Sequence, residues 1–391
     1  MGVVLSSGCI REELNTYSVR INGRTGYRES ICDIPCQDEE IDCYRVVETV
    51  MRNDETGDYY VIVKSIDPDN NCARILYTIT ADNLEYSRVS FEVGDERPNH
   101  YVNIGDKIVS ISTVGTSIIS SEDGSLIAEV ANDINPLSAD VAEAGYVIEY
   151  SDHITIYSSD GEELSRVNGD FGYYSNYSDS YFEVDGKSYL VACSGVEYDY
   201  YAIDFDTGYC NYLFNNNDLG VDFWDCYGQF VFNDIGEYYV DPLSRSTILL
   251  AEWNNINSRP GGNEYAGNRY YYTFGNDLFV KAYIDSDNTT AIQIYEYDNT
   301  IDYSDREIIT VGGIGMFQDT AINLAVYEYN TSQDEYRIQL VEFENEAESA
   351  VEELERNSRL ISDFNSGNAP DIFYGNNFDY GYFGRNDSFA A

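Results

Sequence analysis

The side chains able to do chemistry in this chain are overwhelmingly carboxylates. Asp and Glu number 70 against 22 Lys and Arg, a formal net charge of −48 at pH 7. Two carboxylates flanking a glycosidic bond suffice for a glycosidase. At this acid density some pair falls within reach by chance, so no pair stands out. Histidine is the opposite extreme: His100 and His153 are the only two. That leaves little material for a histidine metal centre or for a Ser-His or Cys-His relay. Asp67-Pro68-Asp69-Asn70 and Asp285-Ser286-Asp287-Asn288 offer oxygens of the kind calcium takes, without EF-hand spacing; tight-turn chemistry accounts for the same residues. Gly313-Ile314-Gly315 has two glycines of a dinucleotide fingerprint, but Gln318 stands where the third belongs. Gly186-Lys187-Ser188 ends like a phosphate loop, yet Tyr181 replaces its first glycine. No catalytic residue, cofactor or metal is expected.

The charge limits partners as well. A field of this sign repels phosphate backbones and anionic bilayers. Nucleic acid is excluded as a partner, and a membrane is reached only through a covalent lipid. The start, Met1-Gly-Val-Val-Leu5-Ser-Ser-Gly-Cys9, runs from apolar to small residues and then to Cys. It resembles the end of a bacterial lipoprotein signal, which implies lipidation of Cys9, a polar tether to about residue 20, and an extracellular, cell-surface protein. Leu5 sits one position earlier than that pattern has it, and the basic leader is missing, so a shortened signal is expected. The longest uncharged run, Ile108 to Ser121, falls short of the ~20 residues of a membrane helix. Eight cysteines, at 9, 32, 36, 43, 72, 193, 210 and 226, become seven once Cys9 is lipidated, so complete pairing is impossible. Cys32, Cys36 and Cys43 lack zinc-type spacing; one or two disulfides, or buried thiols, are expected.

The elements that must position these groups are mostly strands. From residue 21 to 304, short β-branched and Tyr-rich runs alternate with Asp, Asn, Gly and Ser. The doublets Tyr59-Tyr60, Tyr200-Tyr201 and Tyr238-Tyr239 lie inside such runs, where strand propensity and cross-strand packing explain them better than sugar stacking. Asp-led turns at Asp67, Asp123, Asp160, Asp206, Asp241 and Asp298 join strand to strand and recur about every 46 residues, the period of a four-stranded propeller blade. Ala202-Ile-Asp-Phe-Asp-Thr-Gly208 is similar to the turn of quinoprotein-type blades. A β-propeller-like domain of six or seven blades is expected, with all these turns on one rim; paired β-sandwiches are the alternative.

Near residue 305 the texture changes. Glu307 to Val311 reads as a strand, Phe317 to Asn330 as a helix, Tyr336 to Phe343 as a strand. Asn345 and Glu348 form a capping box for a second helix that Gly367 and Pro370 end, and Asp371 to Tyr374 is a third strand. This β-α-β-α-β order predicts parallel pairing with right-handed crossovers. Three strands in so short a stretch make 305–391 the first part of a larger α/β domain.

The strings Tyr329-Asn330, Tyr336-Arg337-Ile338 and Ser366-Gly-Asn-Ala-Pro-Asp-Ile372 resemble the start of extracellular solute-binding proteins of ABC importers, the carbohydrate-type family. The resemblance implies a periplasmic-binding-protein-like α/β domain, non-catalytic capture of a small-molecule solute (a sugar above all) and delivery to an ABC importer permease. Ligands of such sheets sit outside the carboxyl ends of the strands. Gly313 and Gly315 after the first strand, and Tyr374, Asn376 and Asn377 after the third, are then the ligand-binding candidates. Two rivals stand beside this reading. One is a propeller glycosidase or lyase. The other is an acidic adhesive or structural surface protein, which heavy acid use and only four Lys among the 22 basic residues favour.

Overall fold

The computed structural model describes residues 18–20, 26–37, 42–69, 71–91, 98–133, 135–169, 180–194, 197–219, 225–232, 236–252, 271–275, 277–285, 287–301, 306–313, 316, 320–342, 366 and 370–374. They fall into two compact units, one built on residues up to 297 and the other mainly on residues 298–391.

The first unit is a six-blade β-propeller. The chain begins with two strands that belong to later blades, β1 (Ser18–Arg20) and β2 (Tyr27–Ile34). Blade 1 is β3 (Tyr44–Arg52), β4 (Tyr59–Ile66), β5 (Cys72–Ile79) and β6 (Tyr86–Phe91); blade 2 is β7 (Pro98–Ile104), β8 (Lys107–Ser112), β9 (Thr116–Ser120) and β10 (Leu126–Val130). Blade 3 is β11 (Ser138–Ala142), β12 (Gly145–Glu149), β13 (His153–Ser158) and β14 (Glu163–Asn168); blade 4 is β15 (Ser180–Val184), β16 (Lys187–Ser194), β17 (Glu197–Asp204) and β18 (Tyr209–Asn215). Blade 5 is β19 (Asp225–Tyr227), β20 (Phe230–Phe232), β21 (Gly236–Asp241) and β22 (Ser246–Glu252), with β1 added parallel to β22. Blade 6 takes β23 (Tyr271–Thr273), β24 (Leu278–Ile284) and β25 (Thr290–Tyr297) from the end of the unit and β2 from its start. First strands of successive blades lie side by side, β7 between β3 and β11, and β11 beside β15.

A blade in a propeller is covered on both faces, so its central strands are continuously apolar rather than alternating. The buried run Tyr59–Val63 of β4 is an example. The tyrosine doublets follow from the same geometry. Tyr59 packs toward blade 6 and Tyr60 toward blade 2; Tyr200 packs toward blade 5 and Tyr201 toward blade 3. Adjacent residues on a strand point to opposite faces, so each of these two doublets sends one ring into each neighbouring joint. Polar bonds stitch these joints. Asn53 Nδ2 donates to Gly105 O (2.9 Å, blades 1 and 2), Lys107 Nζ meets Asp160 Oδ1 (2.6 Å, blades 2 and 3), and the Tyr181 N–H donates to Asp140 Oδ2 (3.1 Å, blades 3 and 4). Thr273 Oγ1 donates to Glu237 Oε1 (2.8 Å, blades 5 and 6). Arg45 closes the ring, donating to Asn288 O (2.6 Å) and Thr290 Oγ1 (3.0 Å) of blade 6 and to Tyr77 OH (3.1 Å) of its own blade.

The turns at Asp123, Asp160, Asp206 and Asp241 connect third to fourth strands of blades 2 to 5 and share a rim. Asp67 connects second to third strand, so strand alternation puts it on the opposite rim. Asp298 is no hairpin: the chain leaves blade 6 after β25 and β2 supplies the outer strand. Gly186 lies in the β15–β16 hairpin with φ +69°, not in a phosphate loop. Cys32 and Cys210 are thiols, pushed up to about 11, first by burial and then by the charges of Asp33 and Glu149 respectively.

The second unit carries a three-stranded parallel sheet. Strand β26 (Glu307–Gly313) is central, β27 (Tyr336–Glu342) flanks it in register Glu307↔Tyr336, and β28 (Ile372–Tyr374) pairs on its other side. Helix α1 (Thr320–Ser332) joins β26 to β27. The helix expected from Asn345 lies outside the described residues. Among the described residues, no helix of either unit is long and apolar enough to cross a membrane.

Candidate functional site

The sheet of the second unit does bring two expected ligand residues together. Gly313 and Tyr374 are register partners at the carboxyl ends of β26 and β28. Gly315, Asn376 and Asn377 lie outside the described residues, as does Cys9. The place at Gly313, however, is already filled. A Cβ there would collide with the Met316 thioether and with Tyr374 O, and Met316 is itself buried. The glycine thus admits a neighbouring side chain and strand. Asp371 is likewise committed to the sheet: its Oδ2 accepts the Thr310 N–H and hydroxyl, both at 2.8 Å, and Thr310 Oγ1 accepts the Asp371 N–H at 2.9 Å.

The calcium-like turns are self-satisfied as well. Asp67 Oδ1 accepts the Asn71 N–H at 2.7 Å, and Asp285 Oδ1 accepts those of Asp287 and Thr289, each at 2.9 Å. Among the described residues no group of three or more His, Cys, Asp or Glu side chains is placed to hold a metal ion. The two acids buried among the described residues are structural: Glu149 Oε2 accepts the Ser138 hydroxyl at 2.8 Å in blade 3, and Glu237 is the blade 5 partner of Thr273. Between blades 1 and 2, Glu48 Oε2 receives Arg74 Nε at 3.1 Å and Tyr101 OH at 2.7 Å. Burial, then the Glu48 charge, raises the Tyr101 phenol far above its ordinary range, so it stays a donor.

Among the described residues, one convergence of titratable groups was concealed by the composition. His153 opens β13, its side chain 8% exposed. Its Nδ1 lies 2.6 Å from Asp152 Oδ1, and its Nε2 lies 2.9 Å from Asp133 Oδ2. Tyr150 stacks on the ring, centroids 4.3 Å apart and planes 17° from parallel. Arg166 of β14 reaches the same Asp133 oxygen at 2.9 Å and Glu163 at 3.0 Å. The hydrogen bond from His153 holds the Asp152 carboxyl below its usual range. A tight turn, in which the Tyr150 N–H donates to His153 O at 2.8 Å, presents the ring. The signal available in the sequence was slight: one histidine beside an aspartate, with its other partner 20 residues upstream.

No family model matches the chain, and no curated protein matches it. Among solved structures, BamB from Moraxella catarrhalis shares 10% identity at a TM-score of 0.37, over 71% of this chain and 98% of that one. The Cps50 (Swd1) β-propeller domain of Myceliophteria thermophila shares 8% at 0.39, over 69% and 100%. Hydrazine synthase of Kuenenia stuttgartiensis shares 11% at 0.31 over 42% of this chain, which spans 48% of that structure's length. Nothing in these comparisons ties the chain to ABC importers. The expectation of a solute-binding lipoprotein with a periplasmic-binding-protein-like domain, a sugar ligand and a permease partner is therefore corrected. The described residues from 306 on carry a small parallel sheet with one helix, and the first unit is a mainly β, six-blade propeller.

Proposed function

We propose that the chain is a non-catalytic, acidic propeller that works as an adhesive or structural module on the outside of a bacterial cell. The observation that supports it most is where the acids sit. Among the described residues the two buried ones are spent on hydrogen bonds, Glu149 within blade 3 and Glu237 between blades 5 and 6, while the Asp-led turns place exposed carboxylates along the rims. A carboxylate-based enzyme would need two acids across one cleft. The scarce lysines fit the same picture: Lys281 is buried and Lys107 is paired with Asp160. A surface so biased repels anions, nucleic acid included, and draws cations and cationic surfaces. Attachment to the membrane is through a lipid on Cys9, since attraction to an anionic bilayer is denied to it.

Screening tests the reading. Raising salt from about 0.01 M to about 1 M shortens the screening length from about 30 Å to about 3 Å. The full chain should gain thermal stability steadily over that range and should release no product from a panel of oligosaccharides. A producing cell whose chain carries Cys9→Ser should shed it into the medium and lose adhesion to cationic surfaces. Turnover of any oligosaccharide, or adhesion unchanged on loss of the chain, overturns the proposal.

A further inference from the structure

We infer that the propeller stands edge-on to the membrane, with the outer edge of blade 5 nearest the bilayer and blade 2 farthest from it. The inference rests on the lipid at Cys9 proposed above; what it adds comes from β1. The turn between the third and fourth strands of a blade leans on the outer strand of the blade before it. Gly124 lies against Val89 and Ser90 O of β6, Gly161 against Val130 of β10, and the Arg245 guanidinium over the Phe214 ring of β18 at 5.9 Å. Ser165 Oγ of β14 donates to Phe205 O at 3.4 Å, and Cys32 Sγ of β2 donates to Leu84 O at 3.5 Å. Blade 6 has no such turn, because its outer strand comes from the start of the chain. Among the described residues β22 of blade 5 is thus the outer strand without a turn over it, and β1 pairs there, from Ser18↔Thr247 to Arg20↔Leu249.

β1 fixes where the tether leaves the propeller. Ser18 follows Cys9 by nine residues, and at ~3.3–3.6 Å per residue these reach ~30 Å at most, whatever conformation they take. Blade 5 stacks its strands inward from the tether in the order β1-β22-β21-β20-β19, which at ~4.8 Å per step spans ~19 Å. Blade 2, three blades away around the ring in either direction, adds ~14 Å beyond the central axis with its four strands. β10 therefore lies more than ~33 Å beyond β1, a distance greater than the tether itself can span. Charge then sets the pose. Both rims bear exposed carboxylates, Asp123, Asp160 and Asp206 at third-to-fourth turns, Asp69 and Asp287 at second-to-third turns. Lying flat on either rim brings a row of them into the negative field of an anionic bilayer. Standing on the blade 5 edge keeps both rims out of it.

Two equivalent positions on one rim give the test. Leu126 of blade 2 and Leu243 of blade 5, 54% and 55% exposed, both sit where a third strand turns into a fourth. An encoded azidophenylalanine replaces one or the other in the full chain and carries a donor dye. The chain is lipidated in a bacterial host and held on vesicles of phosphatidylcholine and phosphatidylglycerol whose headgroups bear the energy acceptor. In about 0.01 M salt, where the screening length is about 30 Å, transfer from position 243 should exceed that from position 126 about twofold; in about 1 M salt, where it is about 3 Å, the two should converge. Equal transfer from the two positions of a lipidated chain at low salt, or greater transfer from position 126, overturns the orientation and leaves the lipid anchor standing. A chain that takes up no labelled fatty acid at Cys9 overturns both.

Discussion

The side-chain amide of Asn330 pairs with the backbone of Ile338 as a neighbouring strand would. Its Oδ1 accepts the Ile338 N–H at 2.8 Å and its Nδ2 donates to Ile338 O at 3.0 Å. The last turn of α1 is thereby fastened to the middle of β27, and Arg306 adds a bond from Nη1 to Asn330 O at 3.1 Å. Asp371 fastens β28 to β26 through Thr310 in the same manner. The strings Tyr329-Asn330, Tyr336-Arg337-Ile338 and Pro370-Asp371-Ile372 are thus the closure chemistry of a small parallel unit. They foretell parallel strands around a helix.

Replacing Asn330 by Ala removes both bonds and leaves two backbone groups beside a buried site. A loss of about 1–3 kcal/mol is expected, confined to the second unit. Asn330→Asp keeps the oxygen and loses the amide donor, so it should fall between. Amide exchange of Ile338 in the full chain measures this; equal protection in all three proteins would contradict it.

Gly313→Ala separates packing from ligand approach. Tyr374 O is backbone and cannot swing away from a new Cβ, and the Met316 thioether is buried. Overpacking of this kind costs about 1–3 kcal/mol. The destabilisation should appear in chemical denaturation with no ligand present, and Met316→Ala should relieve it only in part. A variant as stable as the parent would return Gly313 to the list of residues kept free for a ligand.

How much was readable before the structure depended on how local the cause was. The Asp-led turns are local, and they announced strand pairs at the blade period. Tyrosine doublets are local too, and they revealed strands without revealing that both faces are covered. The pairing of β2 with β25 is not local: the Tyr295 hydroxyl donates to Glu29 Oε1 across 266 residues of chain, and no periodicity carries that relation. The rim of each turn depends on whether it follows a second or a third strand. Asp67 and Asp123 look alike as turns yet lie on opposite rims. The surroundings of His153 have no signal in the sequence, because a single histidine has no pattern and Asp133 is brought to it by the connection between blades.

Arg45→Met should expose the weakness of a ring closed by a strand from the start of the chain. The charged side chain is buried, and three acceptors converge on it from two blades. Losing such bonds while Tyr77, Thr290 and Asn288 O stay buried is expected to cost about 3 kcal/mol. Arg45→Lys should recover little, since an ammonium has no planar fork with which to reach separated acceptors. Exchange should quicken first in β25 and β3, the strands at the seam, before the global midpoint moves. Uniform loosening of all six blades would argue that the seam is no weaker than the other joints.

The capped turns set the acid limb of stability. Asp204 is held below the usual carboxylate range by the Thr207 hydroxyl and by backbone N–H groups, its Oδ1 accepting those of Asp206 at 3.0 Å and Thr207 at 3.1 Å. Asp123 is held down by Ser125, whose hydroxyl donates at 2.7 Å and whose N–H donates at 3.0 Å. A carboxyl depressed by folding adds stability that is complete above its unfolded value, about 3.9, and fades as pH falls through the lower folded value. Both groups lie in exposed turns, so each effect is modest and is read by difference. Asn keeps an acceptor oxygen and suits such a turn, yet it does not titrate. The chain should therefore exceed the double variant Asp123→Asn, Asp204→Asn in urea midpoint near neutral pH. That advantage should shrink to nothing as pH falls below the folded values of the two carboxyls, at a salt concentration held constant to fix the screening of the −48 charge. A difference that stays the same at every pH would show that the two carboxylates contribute through shape alone.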